Sequence, residues 1–218
     1  MRQTIPVGSP AAPALLASVD ELRAALNLSQ SDSTDAQLSG LLQDASDMAL
    51  RYIGRSILDC AWRDTITFES SEKRLSLVLG RWPVTAITAL SINGHSLSDE
   101  GIASIPLDPA SGLIFPPDDA APLWSGGRYV VNYQAGWTLD KTDSAGVLVA
   151  GTLPAAIRRA VIIAAVALWH ASGRDPLLKS ESEQGVGSTS WDTSASATGG
   201  MPQAAADILA AFRAVGVR

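Results

Sequence analysis

Residues 160–169 form an unbroken apolar run, A-V-I-I-A-A-V-A-L-W, on a helix that Leu153-Pro154 is placed to start. Proline at the first helical position gives up no intrahelical hydrogen bond, so it opens a helix without cost. The pattern predicts a helix to about His170, roughly 25 Å long at 1.5 Å per residue. Arg158 and Arg159 put a polar side on its first turns. Beyond them Val161, Ile162, Ile163, Val166, Leu168 and Trp169 cover every direction, with alanines between. A helix without a polar face has to be surrounded. In a chain of 218 residues that surround extends to a neighbouring copy, with Ile162, Val166 and Trp169 as the candidate contacts between subunits. The pattern predicts an assembly subunit rather than an enzyme.

The rest of the chain is read around that helix. Residues 1–17, rich in Pro and Ala, read as an N-terminal arm. A helical part covers 18–58. Ser18 and Glu21 form an S-x-x-E capping box, with Val19, Leu22 and Leu26 marking a short helix. Asp32 or Thr34 caps a longer one, whose stripe is Leu38, Leu41, Leu42, Ala45, Ala49, Tyr52 and Ile53, with Gly54 at the left-handed C-cap position. A β-rich insertion covers 59–137. Trp62, Asp64, Ile66 and Phe68 alternate with Arg63, Thr65 and Thr67, and Leu75, Leu77 and Leu79 with Ser76 and Val78, which predicts two strands around a polar turn at Ser70–Lys73. Asn93-Gly94 is a strong hairpin signal. Pro106, Pro109, Gly112, Pro116, Pro117 and Pro122 punctuate a looped stretch over 98–127, and a strand follows at Arg128–Tyr133. Residues 138–172 comprise a polar hinge and the central apolar helix. Residues 173–218 comprise a flexible Gly/Ser-rich loop and a final helix opened by Pro202. Its stripe is Ala205, Ile208, Leu209 and Phe212, with Arg213 and Arg218 near the negative end of the helix dipole. The fold class expected is α+β: a helical core with an inserted small antiparallel β block and a C-terminal docking helix.

Charge and motifs exclude several function classes. A formal charge of −6 makes the chain a poor clamp for nucleic acid, whose affinity comes mostly from Lys and Arg neutralising phosphates, although an acidic chain can line a conduit through which DNA slides. One cysteine, Cys60, excludes an intramolecular disulfide and reads as a small buried hydrophobe. Pro6, Pro10 and Pro13 break any signal-peptide core. The ten-residue apolar run is half of the about twenty that a bilayer needs, so the chain is expected to be soluble, with no membrane partner. There is no P-loop, and Gly185-x-Gly187 lacks the third glycine and the strand of a dinucleotide site. There is no G-x-S-x-G elbow. His95 follows a turn and reads as solvated. His170 sits at a helix C-terminus with no second ligand at metal spacing. Asp118-Asp119 and Asp140/Asp143 read as solvated loop carboxylates. No catalytic residue, metal or cofactor is expected. Trp62, Trp82 and Trp137 read as core. Trp124 and Trp191 lie in expected loops, where they serve either as contact surface or as anchors that tuck a loop back.

Several of these residues together resemble the head–tail connector (adaptor, head-completion) proteins of long-tailed bacteriophages and gene-transfer particles. The resemblance runs over about residues 5–215. It rests on the short Val19–Leu28 helix, Tyr52 with Gly54-Arg55 and Ile57-Leu58, and the strand led by Trp62. Further along it rests on Pro83-Val84 leading to Gly94, the turn Tyr133-x-Ala135-Gly136-Trp137, Leu153-Pro154, and the polar stretch Ser180–Trp191 before a short last helix. The loops at 98–127 and 138–152 are longer than that pattern. The resemblance implies a homo-oligomeric ring, commonly a dodecamer, beneath a portal protein at the capsid vertex. The ring extends the DNA channel, with DNA only passing through, and gives a stopper or tail-completion protein its platform. It implies that the C-terminal segment docks on the portal through Ile208, Leu209, Phe212, Arg213 and Arg218, and that Trp191 and Trp124 are contacts for the neck. The location implied is the virion neck, after synthesis in the bacterial host cytoplasm. Three rivals remain: a stopper or tail terminator of the same particle; a β-rich ligand-binding module with helical flanks, using Trp124 or Trp191 as a platform; and a hydrolase built on scattered carboxylates.

Overall fold

The computed structural model describes residues 1–8, 14–29, 33–117, 122–142, 144–172, 180–183, 187–190 and 200–213. In chain order the elements are β1 (Arg2–Pro6), α1 (Val19–Ala25), α2 (Asp35–Ile53), β2 (Cys60–Arg74), β3 (Leu77–Val78), β4 (Val84–Ile92) and β5 (His95–Ser96). Then come α3 (Asp99–Ala103), β6 (Leu107–Asp108), β7 (Leu113–Ile114), β8 (Trp124–Ala135), β9 (Lys141–Thr142) and β10 (Leu148–Val149). The last are α4 (Ala155–Ser172), β11 (Ser180–Glu183), β12 (Gly187–Ser190) and α5 (Gln203–Leu209), which runs into a 3₁₀ turn at Ala210–Phe212. Helices and antiparallel sheets thus make an α+β chain. It divides into two compact units: Met1–Ala12 with Ile57–Thr152, and Pro13–Ser56 with Leu153–Arg218.

The first unit is built on a five-stranded sheet in the order β1-β2-β8-β4-β5. Its long strands form for the expected reason. Alternate residues of β2 (Trp62, Asp64, Ile66, Phe68) and of β8 (Tyr129, Val131, Tyr133, Ala135) turn to one buried face, and Trp62 pairs with Tyr133, Ile66 with Tyr129. Opposite that face lie Leu77, Leu79, Ile105 and Ile114 in one apolar cluster with Val84 and Leu90, and a small sheet β3-β7-β6 supplies part of this cover. Phe68 and Tyr129 stack at 5.4 Å between ring centroids. Asn93 (φ 50°) and Gly94 (φ 89°) make the expected tight turn between β4 and β5, where Ile92 pairs with His95. Two expectations are corrected here. The turn expected at Ser70–Lys73 is a bulged continuation of β2, whose register against β8 shifts between Phe68 and Lys73. The strand expected from Leu75 is only Leu77–Val78, with Leu75 exposed.

The second unit is helical. Ser18 and Thr34 cap α1 and α2, each in a reciprocal capping box with Glu21 and Gln37; of the two caps considered for α2, Asp32 lies outside the described residues. Gly54 ends α2 in the left-handed region (φ 73°). Leu38, Leu42, Ala45, Ala49 and Ile53 are buried, and α2 packs on α4 and α5. Arg23 on α1 pairs with Asp20 and reaches across to Asp35 at the start of α2. Pro154 stands one residue before α4, and its carbonyl accepts the Ile157 and Arg158 N–H groups.

Candidate interaction surfaces

Among the described residues no three His, Cys, Asp or Glu side chains gather as a metal site. Among the described residues one carboxylate lies in the core, and it is not placed for chemistry. Asp64 is fully buried. It accepts the Gly80 N–H at 2.6 Å and the Tyr133 hydroxyl at 3.1 Å. Burial raises its pKa, against hydrogen bonds from Thr4, Gly80 and Tyr133 and the nearby charge of Arg2. Burial, with the Asp64 charge beside it, pushes the Tyr133 hydroxyl above its ordinary range. A carboxylate that is hydrogen-bonded on both oxygens and closed to solvent fixes structure; it has no substrate to meet. What it fixes is β1, since Thr4 pairs with Asp64 in the ladder and sits against Gly80, where any Cβ would collide with the Thr4 hydroxyl. Sequence patterning gives no sign of this contact, because Thr4 and Gly80 are distant in the chain. The N-terminal arm is therefore, over Arg2–Pro6, an ordered edge strand.

Apolar faces offer the candidate interaction surfaces. The first is on α4. Ile157, Ala160, Val161, Ala164 and Ala165 are buried, and the helix packs against α1, α2 and α5. Ile162, Val166 and Trp169, spaced four and three apart, lie roughly opposite that stripe at about 100° per residue. All three are half-buried. At 18 residues and a mean hydropathy of 1.4, α4 is long and apolar enough to cross a membrane by length and composition, with 28% of it buried. The length argument drawn from the ten-residue run is thus corrected. Arg158 and Arg159 near its start and the stripe packed against three helices are the marks of a helix inside a protein unit.

The second surface is the C-terminal segment. Leu209 is fully buried, as are Ala205 and Ala206, while Ile208 and Phe212 are half-buried and Arg213 is exposed. The Arg55 guanidinium donates from Nε to the Phe212 carbonyl at 3.3 Å, and Arg213 lies over the Tyr52 ring at 5.0 Å. The segment is packed on its own unit, and the burial of Leu209 removes it from the residues that a partner can touch in the folded chain. Arg218 lies outside the described residues.

The tryptophans divide differently from the sequence reading. Trp124 is not in an exposed loop. It is buried at the start of β8, donates from Nε1 to the Ile114 carbonyl at 3.2 Å and meets Tyr129 edge-on. Its role is that of a core anchor. Trp62 is buried as expected, but Trp82 and Trp137 are only half-buried, and so is Cys60. His95 and His170 are exposed. Trp191, Asp118, Asp119 and Asp143 lie outside the described residues. Asp140 is exposed, as expected, and accepts the Gly151 N–H at 2.6 Å.

One surface was missed. The stretch read as a polar hinge is a hairpin of β9 and β10, clasped at its base where Thr138 and Thr152 exchange hydrogen bonds near 3.0 Å. Its tip exposes Val147, Leu148 and Val149 at 59%, 69% and 52%. Three consecutive aliphatics inside a polar stretch were the available signal.

No protein-family model matches the sequence, and no curated protein matches it. Among solved structures the chain is similar to one from the virion of a native gene transfer agent (GTA) particle. Identity is 18% over 99% of this chain and 97% of that chain, with a TM-score of 0.50. It is also similar to chains from the neck of an empty GTA particle computed with C6 symmetry (19% identity, TM-score 0.49) and from the neck of a native GTA particle computed with C12 symmetry (18%, 0.49), with the same coverage. At such identities the likeness speaks to the fold alone.

Proposed function

We propose that the chain is a structural head–tail connector, an adaptor of the virion neck with no catalytic role. In this reading it closes a ring of copies, twelve by the resemblance, beneath a portal protein. The ring extends the DNA channel and presents a platform to a stopper or tail-completion protein. Ile162, Val166 and Trp169 face neighbouring copies, and Ile208, Phe212, Arg213 and Arg218 face the portal. The observation that carries the reading is the fold likeness to a GTA virion chain, which spans nearly the whole of both chains. The half-buried apolar stripe on α4 and a core carboxylate sealed from solvent support it. Trp124, buried at the start of β8, is no platform for the rival ligand-module reading, whose other candidate, Trp191, lies outside the described residues.

The test is mass measurement of the full-length chain, alone and mixed with a portal ring. The expected result is a complex carrying many copies per portal, weakened by Val166→Asp. A chain that stays monomeric in both conditions would overturn the proposal.

A further inference from the structure

The β9–β10 hairpin has a counterpart in its own unit. A groove of about 360 Å³ opens between β4 and α3, lined by Ile87, Ile102, Ala103, Ile105 and Leu107, with Asp99 at its rim. It has room for a few aliphatic side chains and is too open to enclose a free small molecule, which prefers a site that buries most of its surface. Leu148, 69% exposed, is not seated in the groove of its own chain. A ribbon two strands wide exposes both faces, so Leu148 and Val149 are both offered to a partner. Charge matches as well. Lys141 pairs with Val149 across the ladder and is exposed, while Asp99 and Glu100 stand exposed in the first turn of α3.

We propose that the hairpin of one copy inserts end-on into the β4–α3 groove of the next, with Leu148 on one face of the ribbon and Val149 on the other, and with Lys141, on the Val149 face, set against Asp99 and Glu100. A knob on one surface and a groove on another of the same chain make a heterologous contact. Such contacts repeat head to tail and close into a ring when the rotation allows. The inference deepens the ring reading and rests on it for closure. It places a second subunit contact in the β unit, apart from the α4 stripe.

Two single-cysteine variants of the full chain test it, Leu148→Cys and Ala103→Cys, each also carrying Cys60→Ala. Both new positions are exposed, so neither thiol disturbs packing. Mixed at high concentration and mildly oxidised, the pair is expected to give a disulfide-linked dimer that neither gives alone. A chain carrying both cysteines is expected to give a ladder. Leu148→Asp is expected to weaken self-association about tenfold or more, equivalent to about 1.4 kcal/mol. Sedimentation of the same samples separates the two readings. Oligomers without the mixed disulfide overturn this contact and leave the ring standing. Monomers without it overturn the contact too, and the portal-mixing experiment then decides the ring. Loss of portal binding in Leu148→Asp with unchanged self-association also overturns the proposal, because the occupant is then the portal.

Discussion

The C-terminal helix separates two accounts of how this chain docks. If α5 were a tether waiting for a partner, truncating Leu209 would leave the free protein's stability alone. In the structure Leu209 is fully buried, and its helix packs on α4 and α2. Leu209→Ala removes buried methyl groups and leaves a cavity, which costs about 2–5 kcal/mol. For a chain of this size each kcal/mol lowers the melting temperature by about 2–4 °C. The helical unit should therefore melt about 4–20 °C lower, followed by far-UV circular dichroism at 222 nm, where helices dominate. Removing everything from Pro202 onward should cost more, because Ala205, Ala206 and the Phe212 carbonyl that receives Arg55 go with it. That deletion consequently perturbs the fold as well as any docking. A shift below about 2 °C for Leu209→Ala, with binding to the portal lost, would refute the packed account and restore the tether.

Other perturbations follow from the β unit. Trp124→Phe removes the indole N–H that donates to the Ile114 carbonyl and should destabilise by about 0.5–1.5 kcal/mol in urea unfolding, with self-association of the folded protein unchanged, since the indole is core rather than contact surface. Gly136→Ala puts a Cβ against the Leu58 carbonyl at a φ of 124°; the cost expected is about 1–3 kcal/mol from strained backbone, read in the same unfolding curves. Asp64 carries an inverted pH dependence. Its folded pKa lies above the unfolded value of 3.8, so the folded state holds the extra proton between the two. Its contribution to stability is then fully present below 3.8 and falls as pH rises through the folded pKa. Wild type should accordingly gain stability relative to Asp64→Asn as the pH is lowered from neutrality toward 3.8, measured by urea titrations at several pH values; a wild type that loses stability relative to Asp64→Asn on acidification would contradict the burial effect.

Features set by neighbours in sequence were legible beforehand. The Ser18–Glu21 box, the cap at Gly54, the Trp62–Phe68 alternation and the Asn93-Gly94 turn each depend on residues within a few positions. What was not legible depends on residues far apart. Gly126-Gly127 beside Pro122 looks like a loop, yet Gly126 is needed within β8, because a Cβ there would collide with the Glu69 carbonyl of β2. That close approach places Trp124 in a strand and buries it. The arm at Arg2–Pro6 has no alternation of its own; its order comes from Asp64 and Gly80. The stretch 138–152 reads as a hinge because its residues are polar, but Thr138 with Thr152 and Asp140 with Gly151 close it into a hairpin. Closure at the base turns a nominal linker into a projection with a fixed stem, and the aliphatics at its tip are then displayed rather than incidental. An apolar tip held out by a hydrogen-bonded stem is stable in water only at a cost in exposed surface. A neighbouring copy that carries the matching groove would remove that cost at each junction of the proposed ring.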